Sequence, residues 1–174
     1  MKETFAIINE MVADGAIENY AAAGAIGAMF YVEPFSTEDL DVFVLTSEDR
    51  LVIELPGWEY LKGRGYTEIR KEGIVVEGWP VQFLPVNNPL EREAYLNAQQ
   101  LDYDGVLVRV VLSEHLVAIA LKVGRFKDLA RVEMFLMQKE VDLTALEDVI
   151  RRHELSEKWI DFKNRYEQRE QREV

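Results

Sequence analysis

The chain has no cysteine among its 174 residues. That excludes disulfides, a thiolate nucleophile and any zinc site built on cysteine. No apolar run is long enough to span a membrane, so no membrane partner is expected. Acidic and polar residues interrupt the opening Met1-Lys2-Glu3-Thr4, which therefore lacks a signal-peptide pattern. A cytoplasmic protein is the expectation. Basic residues are scarce where acids are dense. Residues 1–114 hold 8 lysines and arginines against 20 acidic residues, whereas residues 115–174 hold 12 of each. All of the net charge of −12 thus lies in the first two thirds. A broad electrostatic footprint for nucleic acid is not evident. A local basic strip remains in the last third, at Lys122, Arg125, Lys127 and Arg131.

What is plentiful is apolar residue, 48% of the chain. That suffices for one domain, or a domain with a small helical annex. Thr4 to Ala13 reads as an amphipathic helix with Phe5, Ile8 and Val12 on one face. Ile17 to Ala22 reads as a short strand and Gly24 to Val32 as a helix. Pro34 and Ser36-Thr37-Glu38 form a loop, and Asp39 to Leu45 is a strand. Trp58 to Arg64 reads as a helix ended by Gly65. Tyr66–Arg70 and Ile74–Glu77 read as a hairpin turning through Lys71-Glu72-Gly73. Pro80 to Leu84 is another strand, with Val81 and Phe83 on one face and Gln82 and Leu84 on the other. Pro89 to Gln99 reads as a helix, and Asp104-Gly105 turns into a strand over Val106 to Leu112.

The pattern changes at Ser113, read as the N-cap of a helix whose inner face carries Leu116, Ile119, Ala120 and Val123. Gly124 ends that helix. Lys127–Lys139, Leu143–His153 and Ser156–Gln171 supply three more, with Leu129, Val132, Phe135 and Leu136 inward on the first. The polar tail from Asn164 is expected to fray. The expected fold is α/β (α+β): a small mixed sheet flanked by helices over residues 1–112, then a helical bundle over residues 113–174 packed on it.

Asp39-Leu40-Asp41 is the candidate site. Residues i and i+2 of a strand share a face, so the two carboxylates project together at the start of an apolar run, Val42-Phe43-Val44-Leu45. Charges are costly to bury unless they are paired or bind a metal, and hard oxygen ligands suit Mg²⁺. The bland alternative is a helix cap and a solvated strand end. Gly24 and Gly27 equally suit close helix packing. Lys122 equally reads as a snorkelling surface lysine, and the Arg125 to Arg131 cluster as a solvated helix start. Gln82 reads as a lone polar residue on a half-buried strand. His115, just inside a helix start, reads as structural rather than as a general base. His153 reads as a surface residue. Trp58, Trp79 and Trp159 read as core or edge anchors.

The stretch from Tyr20 to Val44 (YAAAGAIGAMFYVEPFSTEDLDVFV) resembles the polymerase-beta-like nucleotidyltransferase superfamily. It looks closest to the small bacterial branch that includes abortive-infection toxin nucleotidyltransferases. That branch carries a small-residue turn opening a helix, a Pro/Thr loop, and a strand bearing Asp-x-Asp. Here these are Ala23-Gly24, Pro34 to Thr37, and Asp39 with Asp41. The likeness continues less specifically through Gly78 to Pro85 and Glu114 to Glu133.

The resemblance implies a nucleotidyltransferase-like fold and transfer of a nucleotide from a nucleoside triphosphate, with Mg²⁺, to an acceptor the residues do not name, RNA or protein. It implies Asp39 and Asp41 as metal ligands, and Ala23, Gly24 and Thr37 at the nucleotide. It implies Lys122, Arg125 and Lys127 as the basic element beside the phosphates, with Asp128 orienting Arg125 or Lys127, and a site in the cleft between the two parts. A cognate antitoxin is an implied partner. Two departures stand out. The turn is Ala-Gly rather than Gly-Gly or Gly-Ser, and Gln82 stands where a third carboxylate is expected. An amide cannot serve as a base near neutral pH. Glu54 and Glu77 lie on other segments. The alternative function is a catalytically degenerate protein of this fold that binds a nucleotide or a protein partner.

Overall fold

A computed structural model describes residues 1–33, 37–45 and 57–173, with the side chains of residues 167 and 169–173 outside the description. The chain is mixed α/β and divides between Leu112 and Ser113 into two compact units.

The first unit runs α1 (Lys2–Ala13), β1 (Ala21–Ala22), α2 (Gly24–Ala28), β2 (Leu40–Val44), α3 (Trp58–Gly63), β3 (Ile69–Arg70), β4 (Gly73–Val76), β5 (Trp79–Pro85), α4 (Pro89–Leu96), β6 (Gln99–Tyr103) and β7 (Val106–Val110). Its seven strands form one sheet in the order β3-β4-β5-β2-β1-β7-β6. The sheet is mixed. β2 pairs with β5, and β1 with β7, in parallel; the other neighbours are antiparallel.

One face of this sheet carries the core. Leu40, Val42 and Val44 alternate along β2 and are fully buried, joining Ile74, Val76, Val81, Phe83, Val108 and Val110 from neighbouring strands. Phe5, Ile8 and Met11 from α1 complete the cluster. Each such side chain contributes about 1.5–3 kcal/mol when fully buried. Thr4 donates from Oγ1 to the carbonyl of Val76, fixing α1 over β4. The alternation leaves Asp41 and Phe43 on the opposite face of β2.

The structure revises several boundaries. The helix expected to reach Gln99 ends at Leu96. It is capped by Asn88, whose side chain accepts from the Glu91 amide at 3.2 Å. Gln99 instead opens β6, an edge strand whose remaining residues, 100–103, carry no element in the sequence reading. Its sequence QQLDY is mostly solvent-facing and has no apolar period. The hairpin turn is Asp104-Gly105, both at positive φ as a two-residue turn between twisted strands requires. Gly73 belongs to β4 rather than to the preceding turn. β1 is two residues long and α2 stops at Ala28.

The second unit is α5 (Ser113–Val123), α6 (Phe126–Gln138), α7 (Leu143–Arg152) and α8 (Ser156–Glu173). Ser113 is the first residue of α5 rather than its cap, and Val123 is half exposed rather than inward. The α5 core face is broader than expected, with His115, Leu116, Val117, Ala118, Ala120 and Leu121 all buried. On α6, Val132 and Phe135 are buried, whereas Leu129 and Leu136 are half-buried. Asp142 caps α7, accepting from the amides of Thr144 at 2.8 Å and Ala145 at 3.1 Å. The polar tail continues as helix to Glu173. Among the described residues, no helix is long and apolar enough to cross a membrane.

Candidate functional site

The first unit brings Ala23, Gly24, Thr37, Asp39, Asp41 and Gln82 together. The reason is strand register. β1 runs antiparallel to β2 with Ala22 opposite Val42, and the Ala23 amide donates to the Asp41 carbonyl at 2.9 Å. That bond delivers the chain from β1 to the start of α2 directly beside the Asp41 side chain. Gly24 then adopts φ +59, a left-handed conformation that suits glycine. A Cβ at this position would lie 2.9 Å from Asp41 Cγ and closer still to Oδ2. Glycine is therefore required twice, by the backbone and by the carboxylate that fills the space.

On its other side β2 runs parallel to β5, with Asp41 opposite Gln82. Asp39 lies just before the strand, and both of its carboxylate oxygens are engaged. Thr37 Oγ1 donates to Oδ1 at 3.2 Å, and Gln82 Nε2 donates to Oδ2 at 3.3 Å. Asp39, Asp41 and Gln82 thus share one face, away from the main core. Gln82, read from the sequence as a lone polar residue, is a hydrogen-bond partner of the site. Thr37 also contacts the Asp39 carbonyl at 3.2 Å, fixing the approach to β2. Next to it Glu38 pairs with Lys71 in the β3–β4 turn, and that hydrogen bond holds the Glu38 carboxyl below its ordinary range.

The ligand atoms available here are carboxylate oxygens two residues apart along the chain, the ligand type that suits a hard divalent cation. The glycine at position 24 lets the backbone lie directly against the Asp41 carboxylate. Among the described residues, no group of three or more histidine and acidic side chains forms a ready metal cluster. Pro34 and Ser36 of the expected loop, and Glu54, lie outside the described residues. Glu77 is engaged elsewhere. Tyr66 donates to its Oε1 at 2.5 Å, and this bond, with burial, pushes the Tyr66 hydroxyl up to about 12.

Lys122, Arg125 and Lys127 belong to the second unit. Lys122 is exposed in the last turn of α5, and its carbonyl accepts from Lys158 Nζ at 2.5 Å. Arg125 precedes α6, and Lys127 is exposed in its first turn. Asp128 is buried beneath them and accepts from Arg125 Nε at 2.6 Å and from Arg131. Burial alone would raise the Asp128 carboxyl; the Arg125 hydrogen bond and the two guanidinium charges outweigh it and hold the group below its ordinary value. Arg131 is thus the partner the sequence reading did not assign, although its i,i+3 spacing from Asp128 carries the signal. His115 is buried, His153 caps α7 and is half-buried, Trp159 is buried, and Trp58 and Trp79 are half-buried.

Neither a protein-family model nor a curated protein matches this chain.

Proposed function

We propose that the first unit is the core of a Mg²⁺-dependent nucleotidyltransferase. The observation that carries this reading is the meeting of Asp39 and Asp41 on one face of β2, with Gly24 backed against Asp41. Bound Mg²⁺ would neutralise phosphate oxygens and stabilise the charge that develops on the leaving pyrophosphate. Asp39 and Asp41 hold the ion. Thr37 and Gln82 orient Asp39, and the backbone at Ala23-Gly24 faces the phosphates. The acceptor hydroxyl forms a bond to the α-phosphorus, and the bond to pyrophosphate breaks. Its proton passes to solvent, because Gln82 cannot take it. From the resemblance, Lys122, with Arg125 and Lys127, supplies positive charge for the leaving group.

The test is incorporation of labelled nucleotide by the full chain with Mg²⁺. Asp39→Asn and Asp41→Asn, separately or together, abolish incorporation while circular dichroism stays unchanged. Undiminished incorporation by the double variant would rule the reading out.

Gln82 favours a second reading, a protein of this fold that binds nucleotide or a protein partner without turnover. Calorimetry with nucleoside triphosphates and Mg²⁺ separates the two, since binding without incorporation selects the second. An antitoxin partner rests on the resemblance alone. Growth arrest on expression, relieved by a co-expressed partner, tests it.

A further inference from the structure

We infer that Gln82 restricts the Asp39–Asp41 site to a single divalent cation, and that it does so as a positioning residue acting through Asp39. This rests on the metal-binding reading above and goes beyond it.

The physical argument is one of charge and of hydrogen-bond polarity. Two carboxylates carry two negative charges, which one divalent cation balances. A third carboxylate at position 82 would add a charge left over for a second cation to share. Position 82 is suited to have supplied it, because the parallel register sets it opposite Asp41 and its side chain reaches Asp39 Oδ2 at 3.3 Å. The residue present turns an N–H toward that oxygen instead. A cation seeking a bridge between Asp39 and β5 therefore meets a hydrogen-bond donor, which repels it, rather than a lone pair.

The amide orientation is set by the same contact. The opposite orientation would put the Gln82 carbonyl oxygen against a carboxylate oxygen, two acceptors with no proton between them. With Thr37 on Oδ1 and Gln82 on Oδ2, Asp39 is fixed by one neutral donor per oxygen. Each oxygen still has a lone pair to offer an ion on the Asp41 side. The arrangement closes the coordination direction toward β5.

The experiment is a Mn²⁺ titration of the full chain at constant ionic strength, with free Mn²⁺ read by electron paramagnetic resonance. One ion per chain is expected, lost in Asp41→Asn. Gln82→Glu is expected to bind two. Gln82→Met keeps the length of the side chain and removes the donor. It is expected to bind one ion about tenfold more weakly, the usual cost of losing a group that orients a metal ligand. Two ions in the natural chain overturn the inference, as does a folded Gln82→Glu variant that binds only one. If Gln82→Glu does not fold, unchanged affinity in Gln82→Met overturns it. No ion bound by the natural chain overturns both this inference and the metal-binding reading. One ion in the natural chain and in a folded Gln82→Glu variant overturns only the role given to Gln82.

Discussion

Asp39 and Asp128 are both anions set against protein rather than open water, and the chain treats them in opposite ways. Asp128, 2% exposed, is clasped by two guanidinium groups, from Arg125 and Arg131. Its charge is cancelled locally, by Arg131 of the same helix and by Arg125 just before it. Asp39 has neutral partners, the Thr37 hydroxyl and the Gln82 amide. Among the described residues, these donors satisfy and aim its oxygens without cancelling its charge, with Asp41 two residues further along the same face. A buried ion pair is a structural solution, because removing either partner strands the other. A carboxylate oriented by neutral donors, and with a second carboxylate nearby, retains its appetite for a cation. Residue type alone does not separate the two. The sign of the neighbours does.

The largest expected effect lies at the cancelled anion. Asp128→Ala leaves Arg131, whose side chain is 13% exposed, without its carboxylate. Urea denaturation should show a loss of about 3 kcal/mol, the low end for a broken buried pair, because Arg125 is well exposed and water takes it over. A loss of less than about 1 kcal/mol would erase the contrast with Asp39. The same pair has a pH signature. The folded Asp128 carboxyl lies below its ordinary value of 3.8, so its stabilisation is present above that value. It is lost as the pH falls through the folded pKa. The stability difference between the natural chain and Asp128→Asn should therefore narrow only below about pH 4. Narrowing between pH 5 and 7 would assign it to another group.

Next in size is Gly24→Ala. The substitution forces a β-carbon into a left-handed backbone at φ +59 and against the Asp41 carboxylate. Strain of this type costs about 1–3 kcal/mol. The rearranged Asp41 should also weaken cation binding, whereas Gly105→Ala strains a surface turn that has open space around it and leaves cation binding alone. Equal effects of the two variants on Mn²⁺ affinity would remove Gly24 from the site.

Strand β2 was legible because five residues with three fully buried apolar side chains announce themselves locally. The mixed α/β character was legible for the same reason, from periods of two giving way to periods of 3.6. What joins Asp39 to Gln82 was not. That bond spans 43 positions and depends on a parallel register between β2 and β5, which local periodicity does not encode. The backing of Asp41 by Gly24 likewise depends on a two-residue strand, β1, too short to have a period of its own. β6 escaped because an exposed edge strand of glutamine, aspartate and tyrosine has no apolar alternation. The Asp-Gly turn that follows it was the available signal. Asp128 is expected from the sequence to orient one of Arg125 and Lys127; that residue is Arg125, and Arg131 is a further partner.

The smallest expected effect sharpens the comparison most. Asp39→Asn preserves the shape of the side chain and leaves an amide oxygen that can accept from Thr37 or Gln82. It removes one negative charge beside Asp41, which relieves repulsion between like charges in the cation-free chain. Urea denaturation without divalent ions should therefore change by less than about 1 kcal/mol, in either direction, the range for one neutral hydrogen bond weakened and one repulsion removed. A destabilisation approaching that of Asp128→Ala would mean that Asp39 is itself a structural anion. Loss of incorporation in that variant would then reflect a damaged fold. Near-neutral stability, together with loss of cation binding, separates a charge kept for a ligand from a charge spent on the fold.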